Sequence, residues 1–145
     1  MIEVASEARG DFCILDTEAS PEHLSRGTAQ YADAMLLVVE PYFKSLETGR
    51  RMAALGKDLG LEHVALIANK MRGESDLAAV NEFAERNELK IGGIIPFDEA
   101  MPGAERAGSS PLDFAPDGAA VAAIEAIARG LVDGSIAGYS AATRV

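Results

Sequence analysis

Four short apolar runs, separated by longer segments with helical periodicity, limit the folds open to this chain more than any other feature of its sequence. The runs lie at residues 12–15, 34–40, 63–69 and 90–97, and each is followed by or ends in polar residues or proline. Apolar runs of this length are typical of strands buried on both faces of a sheet. The sequence therefore predicts four strands.

The segments between the runs predict helices at residues 21–31, 44–59 and 75–87. Apolar residues recur at helical spacing in the last two segments, at Leu46, Met52, Ala53, Leu55, Leu59, Leu77, Val80 and Phe83. Gly60 supplies a stop signal after the second helix. Strand and helix in alternation indicate an α/β fold, with a parallel sheet of about four strands and helices on both faces.

The C-terminal stretch combines apolar residues at helical spacing with a polar face that is not basic. These apolar residues are Val121, Ile124, Ile127, Leu131 and Val132. They predict a helix that covers the core rather than one that binds a membrane. Because small residues dominate beyond Gly134, we predict a single α/β domain over residues 1–134 and a flexible tail over residues 135–145.

Composition disfavours several classes of partner. The 145 residues include 23 acidic and 13 basic side chains, a formal net charge of −10. Nucleic acid and anionic lipid both attract clustered Lys and Arg, so neither is an expected partner. The single cysteine, Cys13, lies in an apolar run and is predicted to be a small buried side chain. No segment reaches the length and apolarity of a membrane span, and we predict a cytoplasmic protein.

Polar residues follow the predicted strands at the end where open parallel sheets bind ligands. They are Asp16, Glu40, Asn69 and the segment from Pro96 to Asp98. Asp16 has two interpretations, a carboxylate that caps the next turn or helix and a ligand for the Mg²⁺ of a nucleotide. Asn69 is either a turn residue or an amide that reads the edge of a purine. Pro96 either ends its strand or belongs to a base pocket.

A resemblance to a known family lies in four stretches, ILDTEASPEHLSRGTAQYADAMLLVVEP, SLETGRRMAALGKDLGL, ANKMR and IPFDEAMPGAERAGSSPLD. In order and spacing they resemble the C-terminal half of the deviant-Walker P-loop ATPases, which include MinD, ParA and the nitrogenase iron protein. The resemblance is nearest to the CooC-type accessory ATPases that serve nickel insertion into carbon monoxide dehydrogenase. It covers residues 11–113 and implies part of a three-layer P-loop NTPase domain.

The resemblance implies roles for the residues after the first predicted strand. Asp16 corresponds to the switch II aspartate, a catalytic residue that holds Mg²⁺ through water. Glu18, Ala19 and Ser20 correspond to the switch that senses the γ-phosphate. The family has glycine at the position of Ser20, where the missing side chain lets the backbone N–H approach the phosphate closely. Ser20 therefore departs from the pattern that tight phosphate sensing needs.

The resemblance also implies a nucleotide-binding surface after the third and fourth strands. Asn69 and Arg72 would contact or frame the adenine, and Pro96, Phe97 and Asp98 would form the far wall of the base pocket. The cofactors implied by the family are ATP or ADP with Mg²⁺. The sequence leaves open whether this chain alone binds them.

Two motifs of the family are missing from the sequence. One is the glycine-rich phosphate loop, whose backbone N–H groups, Lys and Ser/Thr hold phosphates and metal. The other is the Cys-x-Cys metal motif of the nickel branch. Without a preorganised stabiliser for the transferred phosphoryl group, we expect no autonomous ATP hydrolysis. The leading hypothesis is a partial CooC/MinD-like ATP-binding protein of the type that matures metal centres.

The missing loop also affects the predicted sheet. In the family, the strand that leads to the phosphate loop lies between the first two strands of this chain, so its loss leaves a gap of about 10 Å. Either those two strands pair directly or another chain fills the gap. The partners considered are a chain that supplies the N-terminal phosphate-loop half, a second copy forming a homodimer, and a client metalloenzyme.

Two other functional hypotheses stay open. The first is a non-catalytic α/β interaction or regulatory module, in which internal hydrogen bonds would occupy Asp16, Asn69 and Asp98. The second is chromosome-partitioning or septum-site work. That work would need a basic DNA-binding patch or a basic amphipathic tail, and the charge balance disfavours both.

Overall fold

The computed structural model describes residues 12–17 and 32–136. Its strands and helices alternate through the first five elements, and three helices follow. In chain order they are β1 (Met35–Val39), α1 (Phe43–Asp58), β2 (Val64–Met71), α2 (Glu74–Arg86), β3 (Lys90–Pro96), α3 (Ala100–Ala107), α4 (Pro111–Phe114) and α5 (Ala119–Asp133).

The sheet has three parallel strands in the order β1-β2-β3, so that β2 is central. The register sets Val39 of β1 beside Ala68 of β2, and Met71 of β2 beside Pro96 of β3. The carboxyl ends of all three strands therefore lie at one edge of the sheet. The α/β fold with a parallel sheet is confirmed, and the sheet contains three of the four predicted strands.

One face of the sheet packs against α1 and α2. Side chains along a strand alternate between faces, so every second residue of β1 and β2 points to these helices. The buried cluster on this face consists of Leu37, Val39, Met52, Ala53, Leu66, Ala68, Met71, Val80, Ala84 and Leu89. The predicted helices at residues 44–59 and 75–87 are confirmed, each within one residue at both ends.

The opposite face packs against α5 and against Ile136, which follows it. Ala65 and Ile67 of β2 are buried on this side. Gly93 of β3 brings the backbone of the sheet close to the helix, because a Cβ built on it would lie only 2.4 Å from Cγ1 of Ile127. Helices therefore cover both faces, as predicted.

The buried face of α5 differs in part from the predicted one. Ala120, Val121 and Gly130 are its buried residues, whereas Ile124 is 49% exposed and Val132 is 60% exposed. The helix lies close to a strand that has two glycines in place of side chains. Ile127 fills the space above Gly93, while two other large apolar residues of α5, Ile124 and Val132, turn to solvent.

The first predicted strand is not part of the sheet. Residues 12–17 have no regular structure and are all exposed, with Ile14 at 86%. Cys13 is exposed as well, which corrects its predicted burial. Direct pairing of this run with β1, one of the two arrangements considered, does not occur. An apolar run becomes a strand only when a neighbour satisfies its backbone groups, and no described residue pairs with this one.

Some predictions concern residues that the structure does not describe. The helix at residues 21–31 and most of the tail at residues 135–145 fall outside the described ranges. Within the first two tail residues, Ile136 is buried and its backbone N–H donates to the carbonyl of Gly130, at 3.2 Å. The end of α5 is thus fastened at this point.

α3 and α4 were not among the predicted helices. α3 contains Pro102 and Gly103, residues that weaken a helical signal, but Pro102 lies in the first turn, where its missing N–H is not needed. α4 is only four residues long, and the Ser110 side chain accepts the N–H of Asp113 at its start. No helix within residues 12–17 and 32–136 is long and apolar enough to cross a membrane.

β2 is irregular near its carboxyl end. Lys70 has a left-handed backbone, with φ of 59°, and the pairing with β3 shifts between Ala68 and Met71. The Lys70 N–H turns toward the preceding side chain and donates to Oδ1 of Asn69, at 3.0 Å. This local turn interrupts the regular geometry of β2 just before Met71 and Arg72.

β1 has an unpaired edge within the part of the chain that the structure describes. It pairs with β2 alone. Val38 lies beside Ile67 in the register and so points to the α5 side of the sheet, yet it is 61% exposed. α5 covers β3 on this side and leaves β1 open.

We expect Gly93→Ala to lower the free energy of unfolding by about 1–3 kcal/mol, because the added methyl group must displace Ile127. Urea denaturation measures the change. In an Ile127→Ala background the same substitution should cost clearly less, since the crowding atoms are gone. An equal cost in both backgrounds would show that the Gly93–Ile127 contact is not the cause.

We expect Lys70→Val to lower the free energy of unfolding by about 1–3 kcal/mol, because a β-branched residue is strained at positive φ. Lys70→Gly removes the same side chain without that strain and should unfold at or above the wild-type urea midpoint. Lys90→Val is the matched control, an exposed lysine in a strand without positive φ. Equal effects of the two valine substitutions would contradict the explanation by backbone strain.

Candidate functional site

The candidate site lies at the carboxyl edge of the sheet, where β2 and β3 end side by side. The Phe97 N–H donates to the carbonyl of Met71, at 2.9 Å, one step beyond the pairing of Met71 with Pro96. Two segments that are distant in sequence are joined here, the one around Asn69 and the one around Phe97. The sequence predicted that these segments meet, and the parallel register brings them together.

Arg72 and Phe97 form a flat surface at this edge. The guanidinium carbon of Arg72 lies 3.5 Å from the centroid of the Phe97 ring, a cation–π contact. The Arg72 backbone is held as well, because its N–H donates to Oδ2 of Asp76 in the first turn of α2, at 2.9 Å. A planar cation on an aromatic ring offers a stacking surface for another planar group.

Asn69 lies three residues before Arg72, near the end of β2. Its Oδ1 accepts the Lys70 N–H, and its Nδ2 donates no hydrogen bond to any described residue. The side chain is half-buried. Asn69 is therefore set up to donate to an acceptor atom, such as a ring nitrogen of a base, rather than to accept from an amino group.

Glu40 and Lys70 form an ion pair across the edge, from the end of β1 to the end of β2. Their Oε1 and Nζ atoms are 2.9 Å apart, and the hydrogen bond to Glu40 is the main cause that raises the pKa of Lys70. The Glu40 backbone N–H donates to Oγ of Ser45 in α1, at 2.9 Å. The sequence marks both charged residues as strand ends, but only the register shows that they pair.

Asp98 directs its carboxylate into the protein, toward the starts of two helices. Oδ1 accepts the Ala100 N–H at 2.9 Å, and Oδ2 accepts the Ala120 N–H at 3.2 Å. The bond from Ala100 and then that from Ala120 hold the pKa of Asp98 below its ordinary value. Both oxygens are thus engaged, whereas the sequence prediction placed Asp98 in the wall of a base pocket.

Asp16 is not assembled with these residues. It lies in the exposed segment at residues 12–17 and forms no hydrogen bond or ion pair with any other described residue. Glu18, Ala19 and Ser20 fall outside the described ranges. Among the residues that the structure does describe, no group of three or more His, Cys, Asp or Glu side chains is arranged to hold a metal ion. The switch and Mg²⁺ assignments stay predictions.

Comparison with curated proteins finds relatives among ATP-binding proteins. The chain is 36% identical to the carbon monoxide dehydrogenase accessory protein CooC of Rhodospirillum rubrum, over 108 residues that make up 74% of this chain and 40% of that protein. It is 40% identical to an uncharacterized ATP-binding protein of Methanocaldococcus jannaschii, over 93 residues that make up 64% of this chain and 36% of that protein. No family model matches the chain.

Comparison with solved structures finds the same fold. The MinD cell division protein of Aquifex aeolicus superimposes with a TM-score of 0.61 at 24% identity, covering 74% of this chain and 47% of MinD. MinD in its complex with MinC, also from Aquifex aeolicus, superimposes with a TM-score of 0.59 at 25% identity, covering 72% of this chain and 45% of that one. These two likenesses support the three-layer fold derived above.

The chain spans less than half the length of each of these relatives. The aligned part nevertheless includes most of this chain, both in the comparison with CooC and in the comparison with MinD. Over about 74% of its residues, the chain is a relative of the CooC- and MinD-like P-loop ATPases.

Proposed function

We propose that this chain forms the base-binding side of the nucleotide site in a CooC/MinD-like ATP-binding protein. The observation that carries the proposal is the junction between the two segments at the carboxyl edge, where the Phe97 N–H bonds to Met71 and Arg72 lies over the Phe97 ring. The resemblance assigns base contacts to both segments separately. Their junction supports a single surface that the two segments share.

A purine fits the chemistry of this surface. Arg72 on Phe97 supplies a planar face for stacking, and Asn69 supplies amide protons for a ring nitrogen. Pro96, which pairs with Met71, follows the same edge. In relatives that bind ATP, the nucleotide supplies a transferable phosphoryl group.

The phosphate end of the nucleotide does not fit the described residues. Two cations at the edge are already engaged, Lys70 with Glu40 and Arg72 with Phe97. The sequence holds no glycine-rich loop to surround phosphates with backbone N–H groups. We therefore propose no autonomous hydrolysis for a polypeptide of this sequence, and Asp16 as a Mg²⁺ ligand stays dependent on a completed site.

The second part of the proposal concerns the client protein. The relative from Rhodospirillum rubrum is named as an accessory protein of carbon monoxide dehydrogenase, and the sequence resembles that nickel branch. We propose the same class of client, a metalloenzyme that needs its metal centre matured, in the cytoplasm. The formal charge of −10 disfavours DNA as the alternative partner.

The base-side proposal predicts that phosphates add little to binding. We expect adenosine, Mg·ADP and Mg·ATP to bind with dissociation constants on the order of 1 mM, alike within about threefold. Asn69→Ala should weaken all three by about fivefold, as expected for one lost hydrogen bond. Asp16→Ala should have no effect. NMR titration of backbone amides measures these affinities.

Asn81→Ala is the matched control, since it removes an exposed amide side chain from α2, away from the edge. It should leave adenosine binding unchanged. No resonance shifts with adenosine at several millimolar would contradict the base-side proposal. Micromolar Mg·ATP together with far weaker adenosine binding would contradict the absence of a phosphate site.

A second candidate function is that of an assembly module, and the unpaired edge of β1 favours it. A free strand edge is a template for strand addition, and the exposed Val38 leaves the adjacent face open. We propose that the occupant is a strand from a chain that carries the phosphate loop. A second copy of this chain is the competing occupant.

If a strand of another chain adds to the edge of β1, this chain should form a stable complex with the N-terminal half of a relative. We expect the corresponding half of Rhodospirillum rubrum CooC to co-purify with this chain at a ratio of one to one. Val38→Lys should abolish the complex, because it places a charge on the face to be covered. Because Val38 is exposed, the variant chain should keep its stability within about 0.5 kcal/mol.

Ile94→Lys is the matched control, an equally drastic change at an exposed position of β3. It should leave the complex intact. Sedimentation of the isolated chain separates the alternatives, since a dimer that Val38→Lys dissociates would favour the homodimeric module. Complex formation that is insensitive to Val38→Lys would contradict the role of this edge.

A further inference from the structure

Asp98 connects three elements that are distant in sequence. It directly follows Phe97 and the end of β3, and its two carboxylate oxygens accept backbone N–H groups from the starts of α3 and α5. The bond to Ala120 spans 22 residues of chain, so it is a tertiary contact and not a local turn. A single side chain therefore links the end of β3 to the starts of α3 and α5.

The surroundings of Asp98 are built for this close contact. A Cβ built on Gly118, just before α5, would lie 3.0 Å from Oδ2 of Asp98 and 3.0 Å from the carbonyl oxygen of Ala115. Ala120, whose N–H the carboxylate accepts, is only 1% exposed. A side chain larger than glycine at position 118 would push the start of α5 away from the carboxylate.

The same connection reaches the candidate site through one peptide bond. Phe97 is held on one side by its N–H bond to Met71 and on the other by Asp98, its neighbour in sequence. The Phe97 ring in turn supports the Arg72 guanidinium. Each Asp98 oxygen already accepts one backbone N–H, from Ala100 or from Ala120.

We propose that Asp98 is a positioning residue, which holds the Phe97–Arg72 stack in place by tying the end of β3 to the starts of α3 and α5. Its effect on a bound base is indirect. The link to base binding rests on the proposed function, whereas the effect on the stack concerns the free protein and stands without it. A direct base contact, the role implied by the resemblance, is the competing explanation.

The Phe97 ring provides a signal in the free protein. Protons of the Arg72 side chain near the ring face should resonate upfield of their random-coil positions. We expect Asp98→Asn to remove most of that displacement. The substitution replaces one carboxylate oxygen with an NH₂ group, which cannot accept a hydrogen bond, so either the Ala100 or the Ala120 N–H loses its acceptor. It should also accelerate hydrogen exchange at Ala100 and Ala120 and weaken adenosine binding about fivefold.

Asp133→Asn is the matched control. Asp133 also accepts a backbone N–H, from Ser135 at 2.9 Å, and its pKa is likewise lowered by its bonds to Ser135. It lies at the far end of α5 and should change neither the Arg72 resonances nor adenosine binding. Gly118→Ala is a second test that keeps the carboxylate, and it should weaken the Arg72 displacement by moving α5.

The outcomes separate the explanations. Weaker adenosine binding in Asp98→Asn with unchanged Arg72 resonances in the free protein would assign a direct base contact and overturn the proposal. Unchanged exchange at Ala100 and Ala120 would overturn it as well. If wild-type protein binds no adenosine, the proposed function fails, while the Arg72 resonances and amide exchange still decide the role of Asp98. Should Asp98→Asn not fold, Gly118→Ala gives the decision by the same resonances.

Discussion

The parallel pairing of β2 with both of its neighbours is the interaction on which the rest of the described structure depends. β2 contributes buried residues to both faces, with Leu66 and Ala68 toward α1 and α2 and Ala65 and Ile67 toward α5. The same register brings the strand ends into line, so Met71 meets Pro96. Core packing and the assembly of the candidate site thus follow from one set of backbone hydrogen bonds.

The sequence predicted those parts of the fold that depend on local pattern. Apolar runs at β1, β2 and β3 and the periodicity of α1 and α2 were sufficient, because each element is stabilised by neighbours within the described chain. The run at residues 12–15 differs, since its pattern is that of a strand while Ile14 is exposed. Periodicity reports what a segment can bury, and pairing depends on which neighbour is present.

The sequence named the residues of the candidate site, but it predicted only some of the contacts between them. The ends of β2 and β3 lie side by side as expected of a parallel sheet, but Arg72 lies directly on the Phe97 ring, which the resemblance had placed in the far wall of a base pocket. The pair of Glu40 with Lys70 and the inward turn of Asp98 depend on register and on distant helix starts, which no spacing encodes. Lys70 and Arg72 are likewise engaged, with Glu40 and with the Phe97 ring, and the spacing of the sequence does not show either contact.

The edge of β1 that no described residue pairs with has a consequence for the protein in a cell. Its five residues, MLLVV, carry no charge and no proline, the features that protect strand edges from unwanted pairing. A chain with such an edge is prone to aggregate and to be degraded while the edge is uncovered. Under the proposal that a strand of another chain covers the edge, the cellular abundance of the folded chain would follow the supply of that chain, without any dedicated regulator.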